Sequence, residues 1–565
     1  MDVSADLMSP TRPRPVPLVE FRYGIAAEPL PDLLARTVAE FGDRPALDFL
    51  GRQLTWAQLG ELVERCAAGL QALGVGRGVH VGLCLPNCPA YVIAYYGVLR
   101  AGGTVVNFNP LYAERELIQQ IADSGTEILI GLDVAQLCAR LEVALAGSDL
   151  KRLIVVRMAG QLPFAKGVLY NVLRRREVAS RVRDDRHLGF DALLRLGGAR
   201  PEPVTIDADS DLAVLQYTGG TTGVPKGAAL THANLTVNAQ QIRAWFADAE
   251  PGRERFLGVL PFFHVFGMTC VMNFAALTAA EIVMLPRFDA TEVMAAIARH
   301  KLSYAAAVPT IFNALLNHPH LKKYDLSSLR LCISGGAALP VEIKERFEGL
   351  TGCTVVEGYG LSETAPVLTC NPPQGVNKAG SIGLPLPGTT VEIVSLDDRV
   401  TVLPAGQKGE ICARGPQVMT GYWHRPEATA EAMKGGRFHT GDVGYVDADG
   451  YVYLVDRLKE VVVCSGYNVY PRVVEEALYL HPDVVEAVVI GMPDPYRGQT
   501  VKACVVVRAG SDLDADRLRA FLADKISPIE MPKQFDFRSS LPKSAIGKIL
   551  KRELIEEQRH KEVAA

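Results

Sequence analysis

The chain carries few marks of a membrane-spanning, secreted or nucleic-acid-binding protein. In its 565 residues the longest apolar stretches are broken by Arg100, or by Asn273 and Glu281. A helix needs about 20 mostly apolar residues to cross a bilayer, so no such span is expected. The opening MDVSADLMSP is acidic and has no apolar centre, which excludes a signal peptide from the expectation. A net charge of −4 gives no reason to expect nucleic acid as a partner. The eleven cysteines show no zinc spacing: Cys84 and Cys88 come closest, and no second pair follows them. They read as free thiols in a reducing compartment, so a cytoplasmic location is expected. Internal repeats and low-complexity tracts are missing too.

What is present is an ordinary globular balance, 48% hydrophobic and 22% charged. The length exceeds what one core supports, so at least two domains are expected. HVGLCLP, TEILIGL, RLIVV and DLAVLQY read as buried strands, and amphipathic stretches such as TWAQLGELVERCAAGLQAL lie between them. After about residue 380 the texture changes to short, glycine-punctuated strands: VEIV, GEICARG, YVYLVDR. From about 457 the order reads strand, helix, strand, strand, helix. In the last helix Leu518, Phe521, Leu522 and Ile526 share a face, and Pro528 ends it. The expected class is α/β. A large N-terminal domain, residues 1–456, has parallel-type sheets packed with helices and a small β-rich subdomain. A small, mobile α+β C-terminal domain follows at 457–565.

One region differs in composition. Lys151 to Arg186 holds ten basic residues against three acids, Glu177, Asp184 and Asp185. Within it, PFAKGVLYNVLRRR mixes apolar with basic side chains. Two readings stand: a solvated surface excursion, or peripheral contact with an anionic membrane.

The stretch YTGGTTGVPKG, residues 217–227, follows an apolar strand directly. Gly219, Gly220 and Gly223 permit a tight turn whose N–H groups form an anion nest. Thr218, Thr221 and Thr222 add hydroxyls, and Lys226 adds charge. Pro225 before the lysine departs from the Walker pattern. Taken alone, the loop is either a phosphate cradle or a plain turn.

Other motifs follow in order: SGGAALP (334–340), EGYGLSETAP (357–366), HTGD (439–442), VDRLKE (455–460) and LPKSAIGK (541–548). Together they resemble the adenylate-forming superfamily of acyl-CoA synthetases, luciferases and nonribosomal adenylation domains, over nearly the whole chain. VPTIFNALLNHP, GPQVMTGYWHRPEAT and SGYNVYPRVVEE look like the bacterial long-chain fatty acyl-CoA synthetases. The resemblance implies two half-reactions. A carboxylate attacks the α-phosphate of ATP, giving acyl-AMP and pyrophosphate; the thiol of coenzyme A then expels AMP. Oxide is a hopeless leaving group from a carboxylate, and AMP is a good one.

The resemblance also implies roles. Thr218, Gly219, Gly220, Thr221, Thr222, Gly223 and Lys226 would hold the β- and γ-phosphates. Thr364 would touch the α-phosphate, and Glu363 would bind Mg²⁺ arriving with ATP. Gly335, Gly336 and Ala337, with Gly358, Tyr359 and Gly360, would form the adenine slot. Asp442 would accept the ribose hydroxyls, with Arg457 near ribose and phosphate. Lys548 would bridge carboxylate and α-phosphate as the adenylation catalyst, with Lys543 and Lys551 solvated. Lys459 would be the hinge of a domain rotation that brings Ser465, Gly466 and Tyr467 to the coenzyme A tunnel. His264, in PFFHVFG, would stand on the carboxylate side.

Amino-acid-activating relatives place an Asp near His264; none occurs between Pro261 and Gly267. The surrounding wall, Phe263–Ala276 with Val308–Phe312, is apolar and uncharged, as an acyl chain requires. Expected partners are therefore ATP, a medium- to long-chain fatty acid and coenzyme A, and a homodimer stays open. Coenzyme A is preferred to a carrier protein because no carrier domain is expected after Ala565. The alternatives are an aryl-CoA ligase, a fatty acyl-AMP ligase or luciferase-like enzyme, and a degenerate protein that binds acyl-AMP without turning it over.

Overall fold

A computed structural model describes residues 24–564, apart from 181, 183, 219–224, 465, 466, 495 and 546. Two large sheets dominate. The first has eight strands, and its centre is parallel: Leu212–Thr218, Thr104–Asn107, His80–Cys84, Thr126–Leu132, Arg152–Val156 and His187–Gly189, in that spatial order. Lys226–Thr231 and Gly421–Tyr422 extend it antiparallel. The second has nine strands, with a parallel run from Thr354–Gly360 through Leu331–Ser334, Tyr304–Ala307, Arg255–Gly258 and Glu281–Met284 to Pro45–Phe49. The four expected buried strands are all present, as is the helix Trp56–Ala72, entered through a Thr55–Gln58 capping box.

One apolar core runs through both sheets. The helix Pro89–Arg100 is apolar on every side and buried at every position but Arg100, as a helix inside a large core must be. Its tyrosines still need partners for their hydroxyls. Tyr91 donates to Asn107 Oδ1 at 2.7 Å and to Phe262 O at 2.8 Å, and Tyr96 donates to Asn273 Oδ1 at 3.0 Å. These bonds tie the first sheet to the segment that carries His264.

A four-stranded antiparallel sheet, Thr390–Val394, Gly409–Arg414, Phe438–Val446 and Val452–Arg457, forms the small β unit. A further sheet begins at Val462, with Val462–Cys464, Tyr467–Val469, Val484–Asp494 and Gly498–Val507. It has its own core, in which Leu518, Leu522 and Ile526 are buried. Two elements went unread in the sequence: the strand Gln534–Arg538, paired parallel to Gly498–Val507, and the helix Lys551–Ala564. The eleven cysteines are free and buried. Among the described residues no helix is long and apolar enough to cross a membrane.

Candidate active site

A cleft of about 1000 Å³ collects residues from all of these units. On one side lies the hairpin Leu212–Thr218/Lys226–Thr231, whose register sets Thr218 opposite Lys226. Gly219, Gly220, Thr221, Thr222 and Gly223, expected to cradle phosphate, lie outside the described residues. Thr218 and Lys226 flank them and both line the cleft. Lys226 Nζ sits 5.1 Å from the centre of the Tyr422 ring.

The four-stranded sheet supplies the opposite wall. Its antiparallel register pairs Asp442 with Arg457, and Arg457 Nε lies 3.6 Å from Asp442 Oδ1. Tyr359, on the second large sheet, donates its hydroxyl to Asp442 Oδ2 at 2.6 Å. Burial pushes the Asp442 carboxyl up, while Arg457 pulls it back. Glu410, which the sequence reading passed over, is fully buried beneath this turn. It accepts the Gly441 N–H at 3.1 Å and pairs with His439 at 2.9 Å and Arg399 at 3.0 Å. Gly335, Gly336, Gly358 and Gly360 line the cleft, but Ala337 is exposed and lies outside the lining.

The turn after Gly360 brings a correction. Thr364 does not reach the cleft. It is fully buried, and its hydroxyl is spent within the turn, donating toward Pro366 O at 2.5 Å and accepting Leu361 N–H at 3.0 Å. Ser362, two residues earlier, lines the cleft instead. Glu363 lines it as well and accepts the Tyr422 hydroxyl at 2.8 Å. Burial raises its carboxyl, with Tyr422 opposing. Glu363 and the phosphate-side Lys226 thus share one tyrosine. A single hard carboxylate beside the expected phosphate position fits Mg²⁺, which takes most of its ligands from phosphate and water.

Lys548 enters from the far end of the chain and lines the same cleft. It sits on a tight turn in which Gly547 N–H donates to Ser544 O at 2.8 Å and Ser544 N–H to Lys548 O at 2.8 Å. Gly547 has φ +83°, and a Cβ there would stand 2.8 Å from Thr310 Oγ1. That hydroxyl donates to Gly547 O at 3.0 Å, and Asn313 Nδ2 on the same helix, Pro309–Leu316, donates to Val485 O at 2.7 Å. Burial, and next the charge of Arg457, lower Lys548 to about 8. Three residues on, Lys551 behaves oppositely. It is not solvated but pinned at 3.0 Å to both Glu475 and Glu460. Burial opposes its charge, yet these acids hold it well above its ordinary value. Lys543 is likewise engaged, by Glu486.

His264 lines the cleft and is lowered to about 4, by burial first and by Lys548 second. Its Nδ1 accepts the Phe266 N–H at 3.3 Å, so the neutral ring carries its proton on Nε2. Lys459 lines the cleft beside Arg457 and Leu458. Of the coenzyme A trio, Ser465 and Gly466 lie outside the described residues, and Tyr467 is exposed, away from the cleft.

Residues 34–423 match the family model "AMP-binding enzyme", and 473–548 match "AMP-binding enzyme C-terminal domain". The chain belongs to the AMP-binding enzyme family. It is 44% identical over 557 residues to a long-chain-fatty-acid–CoA ligase of Bacillus subtilis, covering 96% of this chain and 98% of that protein. It is 37% identical over 507 residues to a feruloyl-CoA synthase of an Amycolatopsis species, covering 89% and 94%. Among solved structures, an anthranilate CoA ligase in complex with anthranoyl-AMP superposes with a TM-score of 0.83 at 26% identity, over 95% of this chain and 98% of that one. The chain is thus an adenylate-forming ligase with the two-part architecture of that family.

Proposed function

We propose that this enzyme activates a medium- to long-chain fatty acid to acyl-AMP and transfers the acyl group to coenzyme A. The observation that carries the proposal is the convergence of Lys548, His264, Asp442, Arg457 and Glu363 on one cleft. Asp442 accepts the ribose hydroxyls; Lys226 and the hairpin tip hold the terminal phosphates, and Glu363 receives the Mg²⁺ that accompanies ATP. His264, neutral at physiological pH, offers Nε2–H to the acid without competing for its charge. The Lys548 ammonium then stands where negative charge gathers as the carboxylate attacks phosphorus. Ser362 offers a hydroxyl on the cleft lining, in place of Thr364.

The exposed position of Tyr467 supports a second arrangement. With Lys548 in the cleft, Tyr467 lies outside its lining, so thioester formation requires rotation of the chain beyond about residue 457, with Lys459 at the hinge. The apolar wall around His264 supports an acyl chain: Val265, Met268, Val271 and Met272 are buried, and no carboxylate stands between Pro261 and Gly267. The Bacillus relative supports the same substrate class, whereas the Amycolatopsis relative and the anthranilate ligase keep aryl acids as the second reading. Contact with an anionic membrane, where such acids reside, belongs to the proposal.

The deciding experiment is coenzyme A-dependent AMP release across a panel of acids. Dodecanoate and longer acids are expected to exceed hexanoate, with acetate and amino acids near background. Each buried methylene is worth about 0.8 kcal/mol, roughly fourfold. A preference for ferulate or benzoate over dodecanoate would overturn the substrate claim and leave the adenylate chemistry standing.

A further inference from the structure

The basic stretch from Lys151 to Arg186 does not form one electrostatic face. Lys151 is paired with Glu127, Arg157 with Asp191 and Arg174 with Glu177, while Arg186 donates to Leu145 O and Leu150 O. Arg181 and Arg183 lie outside the described residues. What the fold exposes here is apolar. The helix Phe164–Leu173 buries only Gly167. That glycine lets the helix press against the turn below it, since a Cβ would meet Ala159 O at 2.4 Å. Lys166 fastens the same base by donating to Leu50 O at 2.7 Å.

The outward side is the apolar one. Phe164 is 88% exposed, Val172 68% and Leu173 71%, with Val168 and Leu169 about half exposed. At 3.6 residues per turn, Phe164, Val168 and Val172 fall in one row, and Leu169 and Leu173 fall in the next. The helix therefore turns a continuous apolar arc to the outside, the reverse of what water favours. Such a patch on a single short helix marks an interaction surface. Beyond Arg174, Arg175 and Arg176 are exposed and without an acid partner among the described residues.

We propose that the helix Phe164–Leu173 is a bilayer-docking element that lays this arc among lipid tails while Arg175 and Arg176 meet anionic headgroups. An apolar arc bordered by cations matches an interfacial helix. The base held by Lys166 and Gly167 keeps the arc facing outward before any lipid arrives. The proposal rests on the reading of the substrate as a fatty acid, because such acids partition into bilayers.

The test uses the full chain and co-sedimentation with vesicles of phosphatidylcholine alone or mixed with phosphatidylglycerol. The triple variant Val168→Glu, Leu169→Glu, Val172→Glu is expected to bind both vesicle types about tenfold more weakly or worse, since several methylenes leave the lipid. Its turnover of dissolved octanoate should be unchanged, and its turnover of vesicle-borne dodecanoate should fall. Arg175→Glu with Arg176→Glu should weaken binding only to the anionic vesicles, and added salt should erase the difference. Undiminished vesicle binding by the triple variant overturns the proposal. So does a dimeric wild type that the triple variant converts to monomers in light scattering, which would assign the arc to a second copy of the chain. Failure of the wild type on octanoate and dodecanoate alike, with vesicle binding intact, would instead overturn the fatty-acid reading.

Discussion

Lys548 and Lys551 show how little of a lysine's behaviour lies in its identity. Two acids hold Lys551 in its charged form, whereas Lys548 has no such pair among the described residues and is lowered to about 8. Lys548→Ala should reduce acyl-adenylate formation by roughly 10²-fold or more, the scale for losing one preorganised charge. Thioester formation from added acyl-AMP should survive. The pH dependence follows from the same value. A lowered amine is charged below about 8 and loses its proton as pH rises through it. kcat/KM for ATP, which reports the free enzyme, should therefore fall on the alkaline side of about 8. His264, at about 4, stays neutral across this range and adds no limb there. An alkaline limb that persists unchanged in Lys548→Arg would assign it to another group.

The turn at 362–364 gives a second contrast at this scale. Ser362→Ala should slow adenylation while leaving the melting temperature nearly unchanged. Thr364→Val should do the reverse, because it strands a buried hydrogen-bonding site at a cost of about 1–3 kcal/mol. Urea unfolding beside single-turnover adenylation separates the two. The sequence does not separate the two hydroxyls, because both stand beside Glu363 in one short motif. Which of them faces the cleft is decided by the 3-10 turn Ser362–Thr364.

At the scale of elements, the buried strands were legible because apolar runs of four to seven residues bounded by turns have few other uses. The helix Trp56–Ala72 was legible through its amphipathic pattern. The helix Phe164–Leu173 was not. Its mixture of apolar and basic residues left a solvated excursion and membrane contact both open, and only the packing of Gly167 reveals that its apolar arc points outward. Gln534–Arg538 was missed because QFDFR is short and only partly buried. The turn Ser544–Lys548 is the element on which the site most depends. Gly547→Ala places a side chain at φ +83° and against Thr310 Oγ1. Adenylation should drop sharply, while circular dichroism and thioester formation from acyl-AMP stay close to wild type. Equal loss in both half-reactions would mean that the turn serves folding rather than delivery of Lys548.

On the proposed two-step reaction, the whole molecule brings two different segments to one cleft at different times. In this structure the Lys548 segment lines the cleft and Tyr467 does not. Lys459→Pro fixes φ at the proposed hinge and removes an N–H. Pyrophosphate exchange, which needs only the present arrangement, should persist, and thioester synthesis should drop. Wild-type turnover in this variant would sink the hinge assignment.

The helix Pro309–Leu316 joins substrate choice to timing. Ile311, Phe312 and Leu315 belong to the central core beside the apolar wall, while Thr310 and Asn313 hold the incoming C-terminal segment. Were the acyl chain of the proposed substrate to press on this helix, the Thr310 and Asn313 contacts that hold the Lys548 segment would shift with it. Selectivity among acids would then be partly a matter of dwell time, a well-seated chain keeping these contacts closed through adenylation. Mutational changes of chain-length preference along this helix should therefore alter the commitment to adenylation in the same stroke, and the two properties would evolve as one.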